Sequence, residues 1–320
     1  VLWGDTHVHT SYSTGDANLL GRNTVSPEIA YRFARGETVT AVNGERVRLR
    51  RPLDFLVIAD HAENLGVAFD LQTRHQALIN APGGPELLAR YQAYAKDRGS
   101  RLAIDGKQLG ERYEQSVWQR VVARADAYND PGRFTAFAGY EWTSAGTYAN
   151  VFGNLHRVVV FKDGAEKTSK IVPFGANDSR FPEDLWRFLD GYEKAQAGEA
   201  ISIPHNPNLS NGQMFALTDA RDRPLTSAYA ELRSRFEPLM EITQFKGDSE
   251  AHPALSTRDE FADFETWHSW GGDSFTPDQH PCCRNVPEGD PMERKRGEYA
   301  RAALLRGLEL GAELGTNPFK

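Results

Sequence analysis

The sequence predicts an α/β protein, and three observations carry that prediction. Short apolar runs alternate with longer stretches of amphipathic period, which is the rhythm of β-α units. Candidate ligand residues fall at the ends of those runs, where strands of an open or closed parallel sheet meet at one rim. The chain has 320 residues, 40% hydrophobic and 25% charged, without low-complexity tracts or internal repeats, so it can fill one α/β barrel or two ordinary domains.

The first predicted strand, Leu2 to Val8, lies at the start of the chain. No initiator Met, basic segment or apolar signal core precedes it, so any targeting peptide is expected to have been removed or left out. Ser26-Pro27-Glu28 opens a helix with a capping residue and a proline in its first turn, and Arg35-Gly36 closes it. Asp54 to Ile58 reads as the second strand, followed by helices over Pro85 to Lys96 and Glu111 to Tyr128. Strands are expected at Phe134 to Tyr140 and Leu155 to Phe161, a helix at Pro182 to Gln196, and a strand at Ala200 to Ile203. A helix over Ser227 to Phe236 precedes a sixth strand, Leu239 to Phe245. Gly271 to Asp290, with a Gly-Gly pair and three prolines, reads as a long loop or insertion, such as a lid. The last predicted helix covers Arg294 to Leu314, and Gly315 to Lys320 look like the approach to another strand. No linker divides the chain, so residues 1–320 are expected to form a single domain, truncated one strand short of a closed barrel.

The charge balance, 37 Lys plus Arg against 44 Asp plus Glu, gives a net charge of −7 and argues against a nucleic-acid or anionic-membrane binder. Apolar runs such as Phe55-Leu56-Val57-Ile58-Ala59 fall far short of the roughly 20 residues that span a bilayer. The two cysteines, Cys282 and Cys283, are adjacent, which excludes a disulfide framework and a CxxC metal knuckle.

Chemistry collects first in Asp5-Thr6-His7-Val8-His9-Thr10. Residues two apart in a strand share a face, so the two imidazoles converge from positions ~7 Å apart along the backbone. Further candidates end or begin other apolar runs: Asp60-His61 after DFLVI, Glu141 after FTAFAG, His156-Arg157 at the head of the run through Phe161, and His205-Asn206 after AISI. The other histidines, His75, His252, His268 and His280, lie in helical or loop stretches and read as surface or capping residues. Imidazoles with a carboxylate suit Zn²⁺, Mn²⁺ or Fe, and a bridging Glu suits two ions about 3.5–4 Å apart. No nucleophile elbow, phosphate loop or dinucleotide fingerprint competes.

The order of these motifs resembles the polymerase-and-histidinol-phosphatase (PHP) superfamily. More narrowly, WGDTHVHTSYS, DFLVIADHAE, GYEWTS, GNLHR, IPHNPNLSNGQMF and the stretch from Arg294 to Phe319 resemble the DUF3604 family. The resemblance implies a distorted TIM-like (β/α)7 barrel with two or three divalent ions at its strand ends. It assigns His7, His9 and bridging Glu141 to the first ion, His156 and His205 to the second, and His61 with Asp16 to the third. It also implies a terminal Asp-x-His ligand pair, which would lie outside this chain, and an exported, periplasmic protein.

The expected activity is hydrolysis of small phosphate mono- or diesters by a metal-activated water, with Glu141, Arg157 and Asp60 as catalytic candidates. Arg157, Asn206 and Lys246 are the candidates for binding an anionic substrate. The phosphoester assignment comes from the resemblance, since the ligand set equally permits C–N or C–O hydrolysis. A Glu after the third strand and no strand-end Lys favour phosphoester chemistry over an amidohydrolase site. A non-catalytic metal or ligand-binding module is the rival from another class.

Overall fold

A computed structural model describes residues 1–97, 102–148, 151–267 and 290–320. Among these residues the largest sheet contains β1 (Gly4–Val8), β2 (Phe55–Ile58), β3 (Thr135–Trp142), β4 (Arg157–Phe161) and β5 (Ala200–Pro204), adjacent in that order. β1 pairs parallel with β2, and β2 parallel with β3. Lys162 N donates to Glu199 O, whereas His205 N donates to His156 O, so the end of β4 meets the start of β5 and the reverse. Those two strands therefore run antiparallel. The expected α/β class holds, but the sheet is mixed and five-stranded among the described residues rather than parallel and seven-stranded.

The chain divides into two compact units. The first contains Val1–Trp142, Val159–Phe174 and Tyr192–Ala200; the second contains Thr143–Val158, Gly175–Gly191 and Ile201–Lys320. In the first unit, α1 (Pro27–Ala34) begins where sequence places it, with Ser26 Oγ accepting Ile29 N at 3.4 Å. α2 (Gly84–Lys96) and α3 (Glu111–Tyr128) also match their expected spans. The inner stripe of α3, Tyr113, Val117, Trp118, Val121, Val122 and Ala125, is buried. Trp118 packs edge-on against Tyr140 and Phe161, and its indole N–H reaches Thr168 O at 2.7 Å. Gly139 lets the strands approach: a Cβ there would collide with Val57 Cγ1 and stand 2.7 Å from Val159 O.

The second unit contains α5 (Ser227–Phe236) and α6 (Ala300–Leu314), while α4 (Pro182–Gln196) crosses the boundary between units. Three expected spans need correction. Val1, Leu2 and Trp3 are exposed, and β1 starts only at Gly4. The predicted sixth strand, Leu239 to Phe245, meets the sheet where Glu241 N donates to Pro204 O but is not a strand of it: Thr243–Gln244 and Gly247–Asp248 form a small antiparallel hairpin, and Leu239, Ile242 and Phe245 face solvent. Without a face to bury, the apolar run gains nothing from extending. The final predicted helix is two helices, Pro291–Arg296 and α6. It breaks at Gly297, where a Cβ would collide with the Gly212 carbonyl. The loop from Gly271 to Asp290 lies outside the described residues except for Asp290, whose side chain caps the helix that follows. Cys282 and Cys283 lie outside them as well.

Candidate metal centre

Three histidines of the first unit gather on one carboxylate. Glu141 sits near the end of β3, where Glu141 N donates to Asp60 O and Ala62 N donates to Glu141 O. Those bonds extend the β2–β3 ladder past the regular strand and bring His61 beside Glu141. His7 Nε2, His9 Nε2 and His61 Nδ1 lie 3.3, 2.9 and 3.5 Å from Glu141 Oε2. His7 and His9 approach each other to 3.2 Å between Nε2 atoms, and His61 stacks on His9 with ring centroids 4.5 Å apart. Glu141 is 1% exposed and the three imidazole side chains 11–16%. This is a carboxylate almost out of water with imidazoles at its open side.

The convergence of His7 and His9 is not that of a plain extended strand. Asp5 pairs with Leu56 but Val8 pairs with Ile58, so β1 spends three steps where β2 spends two. Such an irregularity turns local side chains, and it falls at Thr6 and His7. One ligand atom each from His7, His9 and Glu141 lie within 4.8 Å of one another. Two nitrogens and a carboxylate oxygen at that spacing fit the first coordination shell of a divalent transition ion.

The carboxylate of Asp60, a predicted catalytic group, is held by Thr10 and Ser13. Its Oδ1 accepts Thr10 N at 2.6 Å and Ser13 Oγ at 2.9 Å, and its Oδ2 accepts Thr10 Oγ1 at 2.7 Å. Burial pushes this carboxyl above its ordinary range, with the hydrogen bonds from Thr10 and Ser13 and the proximity of His9 opposing that shift. Asp16 belongs to the π-helical turn Thr14–Leu20, and its side chain lies outside the described residues.

In the second unit, His156 precedes β4 and His205 follows β5. Because these strands are antiparallel, the two residues lie side by side, joined by the His205 N to His156 O bond, with ring centroids 5.6 Å apart. Both are buried. Asn206 adopts left-handed backbone at φ 49°, is buried, and neither its amide nitrogen nor its amide oxygen has a hydrogen-bond partner among the described residues.

Arg157, expected to bind an anionic substrate, lies in a buried polar group. It is 1% exposed, its Nε donates to Glu237 Oε1 at 2.8 Å, and a terminal nitrogen donates to Leu155 O at 2.6 Å. Glu237 also pairs with Arg233 and accepts from the Trp186 indole. Burial alone would raise the Glu237 carboxyl, yet the charges of Arg157 and Arg233 and its hydrogen bonds hold it below the ordinary range. Lys246 is buried, with Nζ 5.4 Å from the Phe245 ring centroid and its carbonyl accepting Asn208 Nδ2.

Of the remaining histidines, His75 caps a helix by accepting Ala77 N, as expected of a capping residue. His252 is buried against Tyr299 and accepts Ala254 N, so it is a turn residue but not a surface one. His268 and His280 lie outside the described residues. Sequence reasoning missed Ser13, which touches both His9 and Asp60, and Glu237, which pairs with Arg157. Serine four residues after a ligand histidine is too common to signal itself, and Glu237 lies 80 residues from its partner.

A comparison with protein families matches residues 1–320 to the family described as "Protein of unknown function (DUF3604)". No curated protein and no solved structure matches the chain.

Proposed function

We propose that this chain, which belongs to the DUF3604 family along its whole length, is a metal-dependent hydrolase of small phosphate mono- or diesters. The observation that carries the reading is the gathering of His7 and His9 on the buried carboxylate of Glu141. His7, His9 and Glu141 would hold the first ion. By resemblance to the PHP superfamily, His156 with His205 and His61 with Asp16 are assigned to a second and a third, and the five-stranded sheet is read as part of a PHP-type barrel in an exported protein.

When bound, a divalent Zn, Mn or Fe ion supplies Lewis acidity and an ionised water at neutral pH. The chain's own groups prepare for it. Glu141 holds negative charge where water is scarce, which favours a cation over none. The imidazoles are neutral donors, so they leave most of the ion's positive charge uncompensated, which suits an anionic phosphate ester. Asn206 is assigned to hydrogen-bond the substrate, because its buried amide has no hydrogen-bond partner among the described residues, and Lys246 to oppose its charge. Arg157, which shares the Glu237 carboxylate with Arg233, and Asp60, which is tied to His9 through Ser13, are the remaining proposed catalytic groups.

The test is metal content per chain by elemental mass spectrometry, beside hydrolysis of p-nitrophenyl phosphate and bis(p-nitrophenyl) phosphate with and without chelator. Bound divalent ion and chelator-sensitive release from either ester is the expected result. Metal with neither ester cleaved would replace phosphoester hydrolysis by C–N or C–O hydrolysis or by a binding module. Protein that takes up no metal would overturn the site itself.

A further inference from the structure

The hydroxyl of Ser13 has its full complement of partners. It accepts His61 N–H at 3.1 Å, lies 2.8 Å from His9 Nδ1, and donates to Asp60 Oδ1 at 2.9 Å. A serine hydroxyl has one proton and two lone pairs. Asp60 Oδ1 already accepts Thr10 N at 2.6 Å and the other carboxylate oxygen accepts the Thr10 hydroxyl at 2.7 Å, so the Ser13 proton belongs to Asp60. One lone pair takes the His61 amide. The other is left for His9 Nδ1, which must therefore carry a hydrogen.

We propose that Ser13, held by Asp60 and Thr10, is a positioning residue that locks His9 in the Nδ1–H tautomer and aims its Nε2 lone pair at the metal position. The inference rests on the proposed metal site for its purpose, but the tautomer itself does not depend on a metal. A histidine side chain free in water favours the opposite form, with hydrogen on Nε2, so an unguided His9 would point an N–H bond where a ligand lone pair is required. Ser13, Thr10 and Asp60 are all buried, which keeps water from competing for these bonds. The arrangement differs from a direct carboxylate–histidine pair, because the hydroxyl relays orientation while holding the Asp60 charge one group further from the metal.

The decisive measurement is a long-range ¹H–¹⁵N correlation spectrum of metal-free, ¹⁵N-histidine-labelled full chain at about pH 9, above the ordinary imidazole range. The His9 signals are assigned by their loss in His9→Gln. Wild type should show His9 protonated on Nδ1. Ser13→Ala should shift it to the Nε2–H form and weaken Zn²⁺ binding by about 10–100-fold in a calorimetric titration, whereas Ser13→Thr should keep both properties. An Nε2–H tautomer in wild type would overturn the proposal, as would an unchanged tautomer in Ser13→Ala. Should Ser13→Ala fail to fold by circular dichroism, the wild-type and Ser13→Thr spectra still decide. Wild type that binds no Zn²⁺ yet shows the Nδ1–H tautomer would sink the metal site and leave this hydrogen-bond relay standing.

Discussion

A carboxylate buried among three imidazoles offers a cation one charged and several neutral donors at a single point. Glu141 is in that position, 2.9 Å from His9 and 3.3 Å from His7. Glu141→Gln keeps the shape and removes the charge, so metal content and metal-dependent turnover should fall by on the order of 10²-fold or more. The melting temperature measured with chelator should not fall, because an uncharged amide is easier to bury. His9→Ala should lose the metal in the same way with the fold retained. Retained turnover in either variant would remove the site. The ligand histidines were legible one by one because each ends or begins an apolar run, and strand ends are where side chains escape the core. Ser13 was not legible, since its role depends on the separate paths that bring His61 N–H and Asp60 to one hydroxyl.

At the scale of single elements, two packed centres make opposite demands on sequence reading. Helix α3 shows its buried stripe in its own periodicity, so its span, Glu111–Tyr128, could be read directly. Trp118→Ala would leave a cavity beside Tyr140 and Phe161 and a lost bond to Thr168, costing about 3–5 kcal/mol by chemical denaturation. The group at the end of α5 could not be read, because Arg157 and Trp186 reach the neighbouring Arg233 and Glu237 from distant segments. Glu237→Ala should cost about 3–5 kcal/mol, since two buried guanidinium groups lose their counter-charge. The pH dependence has a definite sign. The folded Glu237 carboxyl lies below its unfolded value, so the unfolded chain binds the extra proton. Its contribution is fully present above the unfolded pKa, about 4.3 for an ordinary Glu, and is lost as pH falls through the lower folded value. Acid titration of stability by circular dichroism should therefore be less steep in Glu237→Gln than in wild type. The exposed run from Leu239 to Phe245 errs the other way: its composition suits a strand, but β propensity is realised only where a sheet face is there to cover it.

For the whole molecule, a ligand that binds the folded chain alone must stabilise it. At a free concentration one hundred times its Kd, a divalent ion adds about 2.7 kcal/mol. Thermal scans with Zn²⁺ or Mn²⁺ should thus show a melting temperature that rises with metal concentration and falls back with chelator, and the rise should shrink in a His7→Ala, His9→Ala double variant. An equal rise in that variant would place the stabilising metal elsewhere. Among the described residues no helix is long and apolar enough to cross a membrane, in keeping with the short apolar runs of the sequence.

The amino-acid sequence by itself determined the α/β class, most helix spans, the DUF3604 resemblance and the residue types that gather at strand ends. These follow from periodicity and from local chemistry, which act over a few residues. Only the tertiary structure decided that the sheet is mixed, that an irregular β1 turns His7 toward Glu141, that Arg157 serves Glu237, and that Ser13 faces His9. Each of those depends on which distant segments become neighbours, and a hydrogen bond or ion pair has no sequence signature until both partners stand within about 3 Å of each other.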